Sequence, residues 1–150
     1  MKNILLVEDD PFLIDIYTKK LQESGFKVRV VKSGGQVIAS LEEEKPDLIL
    51  LDIVLPEIVG WEVLASIKAR KDLAGIKVVV LSNLGQQEEV EKGLRMGAVQ
   101  YLIKSQYKPS EVVKKVKEIL AKWKTKNHKE KLKKKTPLSF LRFRLWFLFF

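Results

Sequence analysis

One apolar run constrains the fold of this chain more than any other stretch. Leu48–Leu51 form a continuous hydrophobic segment between Pro46 and Pro56, and Asp52 follows it directly. An uninterrupted run of this length is typical of a strand buried on both faces of a parallel sheet. In open parallel sheets, ligands bind beyond the carboxyl ends of the strands. We therefore expect Asp52 either to lie at a chemical site or to cap an ordinary turn.

Further short apolar runs alternate with segments that have helical spacing. We predict strands over residues 3–7, 26–31, 47–52, 77–81 and 99–103, and helices after each of them, the last beginning at Pro109. Alternation with short connections indicates a parallel sheet with helices on both faces. The predicted fold is α/β, a doubly wound five-stranded parallel sheet of order 2-1-3-4-5 with five helices, which is a flavodoxin-like three-layer sandwich.

This topology brings polar residues from four strand ends to one crevice. Glu8 and Asp9 follow the first strand and face Asp52, while Ser82 and Lys104 follow the fourth and fifth strands. Clustered carboxylates repel one another unless a cation neutralises them, and oxygen ligands of this kind suit Mg²⁺. A carboxylate nucleophile, a metal, a hydroxyl and an ammonium together indicate phosphoryl transfer.

Each of these residues also has an ordinary structural interpretation. Asp10 is predicted to cap the first helix, since Pro11 suits a first helical turn. Taken singly, Ser82 is more often a turn residue and Lys104 a solvated surface charge. The joint arrangement favours the chemical interpretation, because four such strand ends rarely meet by chance.

Four motifs in order resemble the receiver domain of two-component response regulators, and the resemblance covers about residues 2–122. They are VEDDP at 7–11, LLDIVLPEIVGWE at 50–62, VVLSN at 79–83 and YLIKS at 101–105.

The resemblance implies a role for each site residue. Asp52 is expected to take a phosphoryl group from a histidine kinase or phosphotransfer protein. Asp9 is expected to bind Mg²⁺ directly, Glu8 mainly through water, and Val54 through its backbone carbonyl.

The resemblance also implies a switch and an output surface. Ser82 matches the hydroxyl that moves toward the phosphoryl group, Tyr101 the aromatic that turns inward with it, and Lys104 the lysine that contacts the phosphate. The output surface is expected on the fourth helix, fifth strand and fifth helix, and no external substrate is expected to be turned over.

Three departures from the family pattern involve four positions. Ser105 follows Lys104 where a proline joined by a cis peptide is usual, Val59 replaces a small acidic or polar residue, and Asn83 and Val54 lie where phosphoryl lifetime is tuned. None of these departures removes a residue that the chemistry requires.

Two alternative functions are less well supported by the sequence. A Mg²⁺-dependent phosphohydrolase using Asp52 as a transient nucleophile, similar to the haloacid dehalogenase family, would need a second Asp where Val54 stands. A flavin carrier would want a Ser, Thr or Gly phosphate loop after the first strand, and the acids at 8–10 would repel a phosphate lacking a metal.

The net charge of +9 lies entirely in residues 122–150, since residues 1–121 hold 18 basic and 18 acidic side chains. We predict a receiver domain at 1–122 and a basic, then aromatic, tail at 123–150. A neutral domain with a tail too short for a helix-turn-helix argues against direct DNA binding. The density of lysines in the tail predicts disorder or a solvated extension of the last helix. The tail is further expected either to bind an anionic membrane surface or to be a non-native extension. The N-terminal residues do not resemble a signal peptide, so the chain is expected in the cytoplasm. Binding of the tail to lipid would place it at the inner face of the membrane.

Overall fold

A computed structural model describes the backbone of residues 1–135 and the side chains of residues 1–122. The helices are α1 (Pro11–Glu23), α2 (Val37–Glu43), α3 (Gly60–Ala69), α4 (Gln87–Arg95) and α5 (Pro109–Lys135). The strands are β1 (Asn3–Val7), β2 (Lys27–Val31), β3 (Leu48–Leu51), β4 (Lys77–Ser82) and β5 (Gln100–Ile103).

The five strands form one parallel sheet in the order β2-β1-β3-β4-β5, so the predicted fold is confirmed. All four residues of β3 and all six of β4 are buried, including the two polar residues at the ends of β4, Lys77 and Ser82. Strand order reverses between β1 and β3, where Val7 pairs with Leu51. This register places the two residues that follow, Glu8 and Asp52, at the same level of the same edge.

Local sequence explains where α1 begins and where α4 ends. Asp10 caps α1 by accepting hydrogen bonds from the backbone N–H groups of Phe12 and Leu13, as predicted, and Pro11 begins the helix. Gly97 follows α4 with φ 103°, a left-handed conformation that glycine adopts without strain.

One face of the sheet carries the main apolar cluster. Strand residues such as Leu5, Ile49 and Val78 pack there with α2 and α3, including Leu64 and Ile67 of α3. Adjacent strand residues of opposite orientation are also buried, which explains why β1 and β3 are apolar without alternation.

The chain divides after Lys115 into two units. The first contains the five strands, α1 to α4 and the start of α5. In the second, the described part is the rest of α5, whose backbone is helical to Lys135. No helix in the described part of the chain combines the length and apolar character needed to span a bilayer. The predicted tail begins within α5, and the aromatic segment predicted to bind membranes, within residues 136–150, lies outside the described residues.

Candidate functional site

The site is built first by the ends of β1 and β3. The backbone N–H of Glu8 donates to the carbonyl of Val31 at 3.1 Å, and that of Asp52 donates to the carbonyl of Val7 at 3.0 Å. These bonds continue the sheet one residue beyond each strand. Both residues are buried, although each carries a carboxyl group. A buried carboxylate needs a partner, since an unpaired buried charge is strongly unfavourable.

Lys104 is that partner for both carboxylates. Its Nζ donates to Asp52 Oδ2 at 2.8 Å and also to Glu8 Oε2. The Lys104 side chain is only 9% exposed, although the residue directly follows the short strand β5. The structure therefore brings together three of the predicted site residues and excludes the solvated interpretation of Lys104.

Burial and charge pairing shift the pKa values of this group. Burial is the largest influence on the Glu8 carboxyl and raises its pKa, while the hydrogen bond from Lys104 opposes the rise. Burial also disfavours the charged form of Lys104. Its hydrogen bonds to Asp52 and Glu8 outweigh that effect, so the pKa of Lys104 is raised. The ammonium thus remains charged and neutralises much of the acidic pair.

The second oxygen of Glu8 is held by the turn that follows β1. Glu8 Oε1 accepts from the backbone N–H groups of Asp9 and Asp10, each at 3.2 Å. Both oxygens of Glu8 are therefore engaged within the protein. Asp9, in contrast, is exposed at the mouth of the crevice. This difference is consistent with the expectation that Asp9 binds a metal directly and Glu8 mainly through water.

Carboxylate oxygens of Glu8, Asp9 and Asp52 lie within 4.8 Å of one another, close enough to hold one metal ion. The donors are all oxygens. One of the three residues, Asp9, is exposed, so water can reach the site. Such a set suits Mg²⁺, which prefers few carboxylates and retains several waters. The predicted acidic cluster is therefore present in the fold.

The loop between β3 and α3 orients Asp52. The backbone N–H of Val54 donates to Asp52 Oδ1 at 3.2 Å, so each oxygen of Asp52 has a defined partner. Gly60 begins α3 directly against this strand end. A Cβ at that position would lie 2.5 Å from the carbonyl oxygen of Asp52, so no larger residue fits there without movement.

Ser82 and Tyr101 are joined through the backbone of Leu84. Ser82 is fully buried at the end of β4, and its Oγ accepts from the N–H of Leu84 at 3.4 Å. The Tyr101 hydroxyl donates to the carbonyl of Leu84 at 2.6 Å. Burial raises the pKa of Tyr101, and the nearby charge of Glu89 adds to the rise. Tyr101 is thus inward, neutral and connected to the predicted switch hydroxyl.

The positions that depart from the family pattern have simple local structures. Residues Lys104–Gln106 form one 3-10 turn, and the described part of the chain contains no cis peptide bond, so the loop at Ser105 is all trans. Val54 and Val59 are 59% and 46% exposed on the loop after β3. That loop also holds Glu57 at φ 67°, a strained conformation for a residue with a side chain.

Sequence reasoning assigned no site role to several residues that shape this region. Tyr17 of α1 is 2% exposed, and its pKa is raised by burial, with smaller effects from the charges of Lys104, Glu8 and Asp52. Its helical spacing identified Tyr17 only as a core residue. Gly60 and Leu84 act through backbone atoms, for which side-chain patterns carry no signal.

Comparison with known proteins places these features in a family. The family described as "Response regulator receiver domain" matches residues 4–117. The chain is 36% identical over 115 residues to the DNA-binding response regulator MtrA of Mycolicibacterium smegmatis, covering 77% of this chain and 49% of MtrA. It is 35% identical over 121 residues to the alkaline phosphatase synthesis transcriptional regulatory protein PhoP of Bacillus subtilis, covering 79% and 48%. The chain thus spans about half the length of these curated relatives.

Solved structures agree with the sequence comparison. A CheY-like response regulator receiver domain protein from Methanospirillum hungatei is similar with a TM-score of 0.76 and 31% identity, covering 84% of this chain and 98% of that one. The Mn²⁺-bound form of response regulator Rcp1 is similar with a TM-score of 0.70 and 32% identity, covering 82% and 94%. The phosphohydrolase alternative gains no support. The chain belongs to the receiver domain family of response regulators, the signalling proteins of two-component phosphorelays.

Proposed function

We propose that Asp52 is the phospho-acceptor of this receiver and that its phosphorylation regulates a partner protein. One observation carries the proposal: Asp52 lies at the strand end where Lys104, Glu8 and Asp9 converge, with its Oδ2 2.8 Å from Lys104 Nζ. The phosphoryl donor is the phosphohistidine of a histidine kinase or of a phosphotransfer protein, the partners of the family.

The transfer needs few protein groups. An oxygen of the Asp52 carboxylate attacks phosphorus while the phosphorus–nitrogen bond of phosphohistidine breaks and its electron pair leaves with the imidazole. The product is an acyl phosphate on Asp52. Because Lys104 already contacts this carboxylate, its ammonium is placed to follow the new phosphoryl oxygens. Attack of water on the same phosphorus later releases inorganic phosphate and restores Asp52.

Glu8, Asp9 and Asp52 would hold a Mg²⁺ ion, with Asp9 as a direct ligand, Glu8 acting through water and the backbone carbonyl of Val54 as a further ligand. Such an ion would neutralise charge that develops on the transferred oxygens. The protein's own part is to hold the carboxylates in place. Backbone N–H groups fix Glu8, and the N–H of Val54 fixes Asp52.

The switch is proposed to run from Ser82 to Tyr101. Movement of the Ser82 hydroxyl toward a phosphoryl group would disturb its bond with Leu84, whose carbonyl accepts from Tyr101. The output face is formed by α4, β5 and the first turns of α5. We propose a protein, not DNA, as the partner there, because residues 1–121 have no net charge.

The remaining proposals concern the whole chain. It is proposed to phosphorylate and dephosphorylate itself without turning over an external substrate, and to act in the cytoplasm. The receiver is proposed to span residues 1–122. The tail, residues 123–150, is proposed as a separate segment that recruits the protein to an anionic membrane surface.

Replacing the acceptor tests the proposal. Purified full-length protein is incubated with Mg²⁺ and a small-molecule phosphodonor, and its intact mass is followed. We expect wild type to gain one phosphoryl group that is lost in alkali, and Asp52→Asn to gain none. Asp15→Asn, at an exposed acid of α1, should behave like wild type. A stable acyl phosphate on the Asp52→Asn protein would contradict the assignment.

A further inference from the structure

Tyr101 occupies a narrow space beneath α4. The residue is 8% exposed, and its hydroxyl donates a hydrogen bond to the carbonyl of Leu84. The ring lies against Gly93 of α4, where a Cβ would come within 2.8 Å of the Tyr101 Cδ2 atom. The inward position of Tyr101 therefore depends on the lack of a side chain at Gly93.

A second aromatic residue covers Tyr101 from another helix. Trp61, the second residue of α3, stacks on Tyr101 with ring centroids 6.4 Å apart and planes inclined by 30°. Lys92 of α4 places its Nζ 4.6 Å from the centroid of the Trp61 ring. Lys92 of α4 thus contacts Trp61 of α3, which in turn contacts Tyr101 of β5. Offset aromatic pairs and cation–π contacts are both favourable in this geometry.

We propose that Trp61 is a positioning residue that holds Tyr101 inward, with Lys92 fixing the Trp61 ring from the α4 side. This inference rests on the proposed function, in which Tyr101 is the responding aromatic of the switch. Trp61 acts through Tyr101, and it shifts the resting protein toward the inward orientation.

The contact must act in both directions. If Trp61 stabilises inward Tyr101, then Tyr101 stabilises the stacked Trp61 by the same amount, because coupling between two groups is reciprocal. An outward rotation of Tyr101 would break its bond to Leu84 and expose one face of the Trp61 ring. Each aromatic can therefore report on the other.

Fluorine NMR can measure the orientation of Tyr101 directly. Full-length protein is labelled with 3-fluorotyrosine, which gives resonances from Tyr17, Tyr101 and Tyr107, and Tyr101→Phe assigns the relevant one. No phosphodonor is added. We expect Trp61→Leu to raise the outward share of Tyr101 about fivefold, within the range of one lost aromatic pair.

Two variants separate stacking from general damage. Trp61→Phe keeps an aromatic ring and should restore most of the inward population. Phe12→Leu removes an aromatic side chain that is 71% exposed on α1, and it should leave the Tyr101 resonance unchanged. An unchanged Tyr101 resonance in folded Trp61→Leu would overturn the proposal, as would equal shifts in Trp61→Leu and Trp61→Phe.

The reciprocal experiment does not require Trp61 to be altered. In full-length protein carrying Trp123→Phe and Trp146→Phe, Trp61 is the remaining tryptophan. Tyr101→Ala in this background should increase quenching of its emission by acrylamide, because the Trp61 ring loses the aromatic ring stacked on one of its faces. Equal quenching with and without Tyr101 would overturn the proposal, even if Trp61→Leu fails to fold.

Failure of the proposed function would look different. Phosphorylation of Asp52 is measured on the same samples by intact mass. A protein that takes no phosphoryl group refutes the acceptor assignment, while the Tyr101 resonance and the Trp61 quenching, both measured without phosphodonor, still decide whether Trp61 positions Tyr101.

Discussion

At the scale of single residues, the site is an ion triad in which one lysine serves two buried acids. Side chains of Lys104, Glu8 and Asp52 are 9%, 2% and 6% exposed. Breaking a buried ion pair is strongly destabilising, since it leaves an uncompensated charge. A bound divalent cation can supply the missing positive charge. Lys104 and a bound metal ion can thus each neutralise the negative charge of Glu8 and Asp52.

Removal of the lysine tests this relation. In metal-free buffer, Lys104→Ala should lower the free energy of unfolding by about 3 kcal/mol, because Glu8 and Asp52 lose their shared cation. Added Mg²⁺ should recover more stability in the variant than in wild type. The acceptor remains, so phosphorylation should persist while the response of Tyr101 slows or uncouples.

Urea unfolding with and without Mg²⁺ makes this measurement, and Lys108→Ala, at an exposed lysine of the same region, is the control. An equal gain from Mg²⁺ in wild type and Lys104→Ala would show that the lysine and the metal do not share the acidic cluster.

A second buried lysine predicts a pH dependence. Burial, with the positive charge of Lys2 as a smaller cause, lowers the pKa of Lys77 from 10.5 to about 8. Between these values the unfolded chain keeps a proton that the folded protein has lost, so folding stability must rise with pH in this window.

Comparison of wild type with Lys77→Met isolates this contribution. From pH 7.5 to 9.5, wild type should gain about 2 kcal/mol relative to the variant, the order expected for a pKa lowered this far. Lys68 and the tyrosines also titrate with shifted pKa values, but their contributions to stability are the same in both proteins and cancel in the comparison. Lys71→Met, at an exposed lysine, should follow wild type. Parallel pH curves for wild type and Lys77→Met would refute the low pKa.

At the scale of elements, the start of α3 sets the position of the acceptor. Gly60 donates its N–H to the carbonyl of Ile53 at 2.8 Å, and its Cα approaches the backbone of Asp52 so closely that a Cβ would need 2.5 Å contacts. These neighbours are backbone atoms and cannot rotate away. The closeness of α3 and β3 therefore holds Asp52 in place.

Gly60→Ala should destabilise the protein by about 2 kcal/mol and slow phosphorylation of Asp52, because the helix start must move away from the strand. Gly75→Ala is the matched control. No atom lies within 4 Å of a Cβ at Gly75, so this substitution should leave both stability and phosphorylation near wild type. Denaturant unfolding and phosphorylation rates test the pair, and equal behaviour of the two variants would contradict the role of Gly60.

At the scale of the whole molecule, repeating apolar runs predicted the order of the strands and the edge at which the site forms. Each apolar run can be recognised from local sequence alone. The rules for connecting parallel strands then give the strand order, which places Asp52 beside Glu8. Contacts between distant side chains were not predictable in this way. Nothing in the spacing of Trp61, Lys92 and Tyr101 indicates that three separate elements bring them together. The close approach at Gly60 depends in the same way on the relative position of α3 and β3.

The asymmetry of charge between the domain and its tail supports the last prediction. Residues 122–135 carry eight lysines and one glutamate, and an aromatic segment rich in Phe follows within residues 138–150. Each lysine near an anionic bilayer contributes about 1 kcal/mol of attraction, and aromatic residues favour the interface. Full-length protein should therefore float with vesicles containing anionic lipid.

A chain ending at residue 124 should remain in solution, and neither protein should float with neutral vesicles. High salt should release the full-length protein, since surface attraction is screened within about 10 Å at 0.1 M salt. Repeating the flotation with Mg²⁺ and a phosphodonor shows whether phosphorylation alters binding. Flotation of both proteins would assign membrane binding to residues 1–124, and flotation of neither would remove the tail from the mechanism. In the second case the face formed by α4, β5 and the start of α5 remains the proposed output surface.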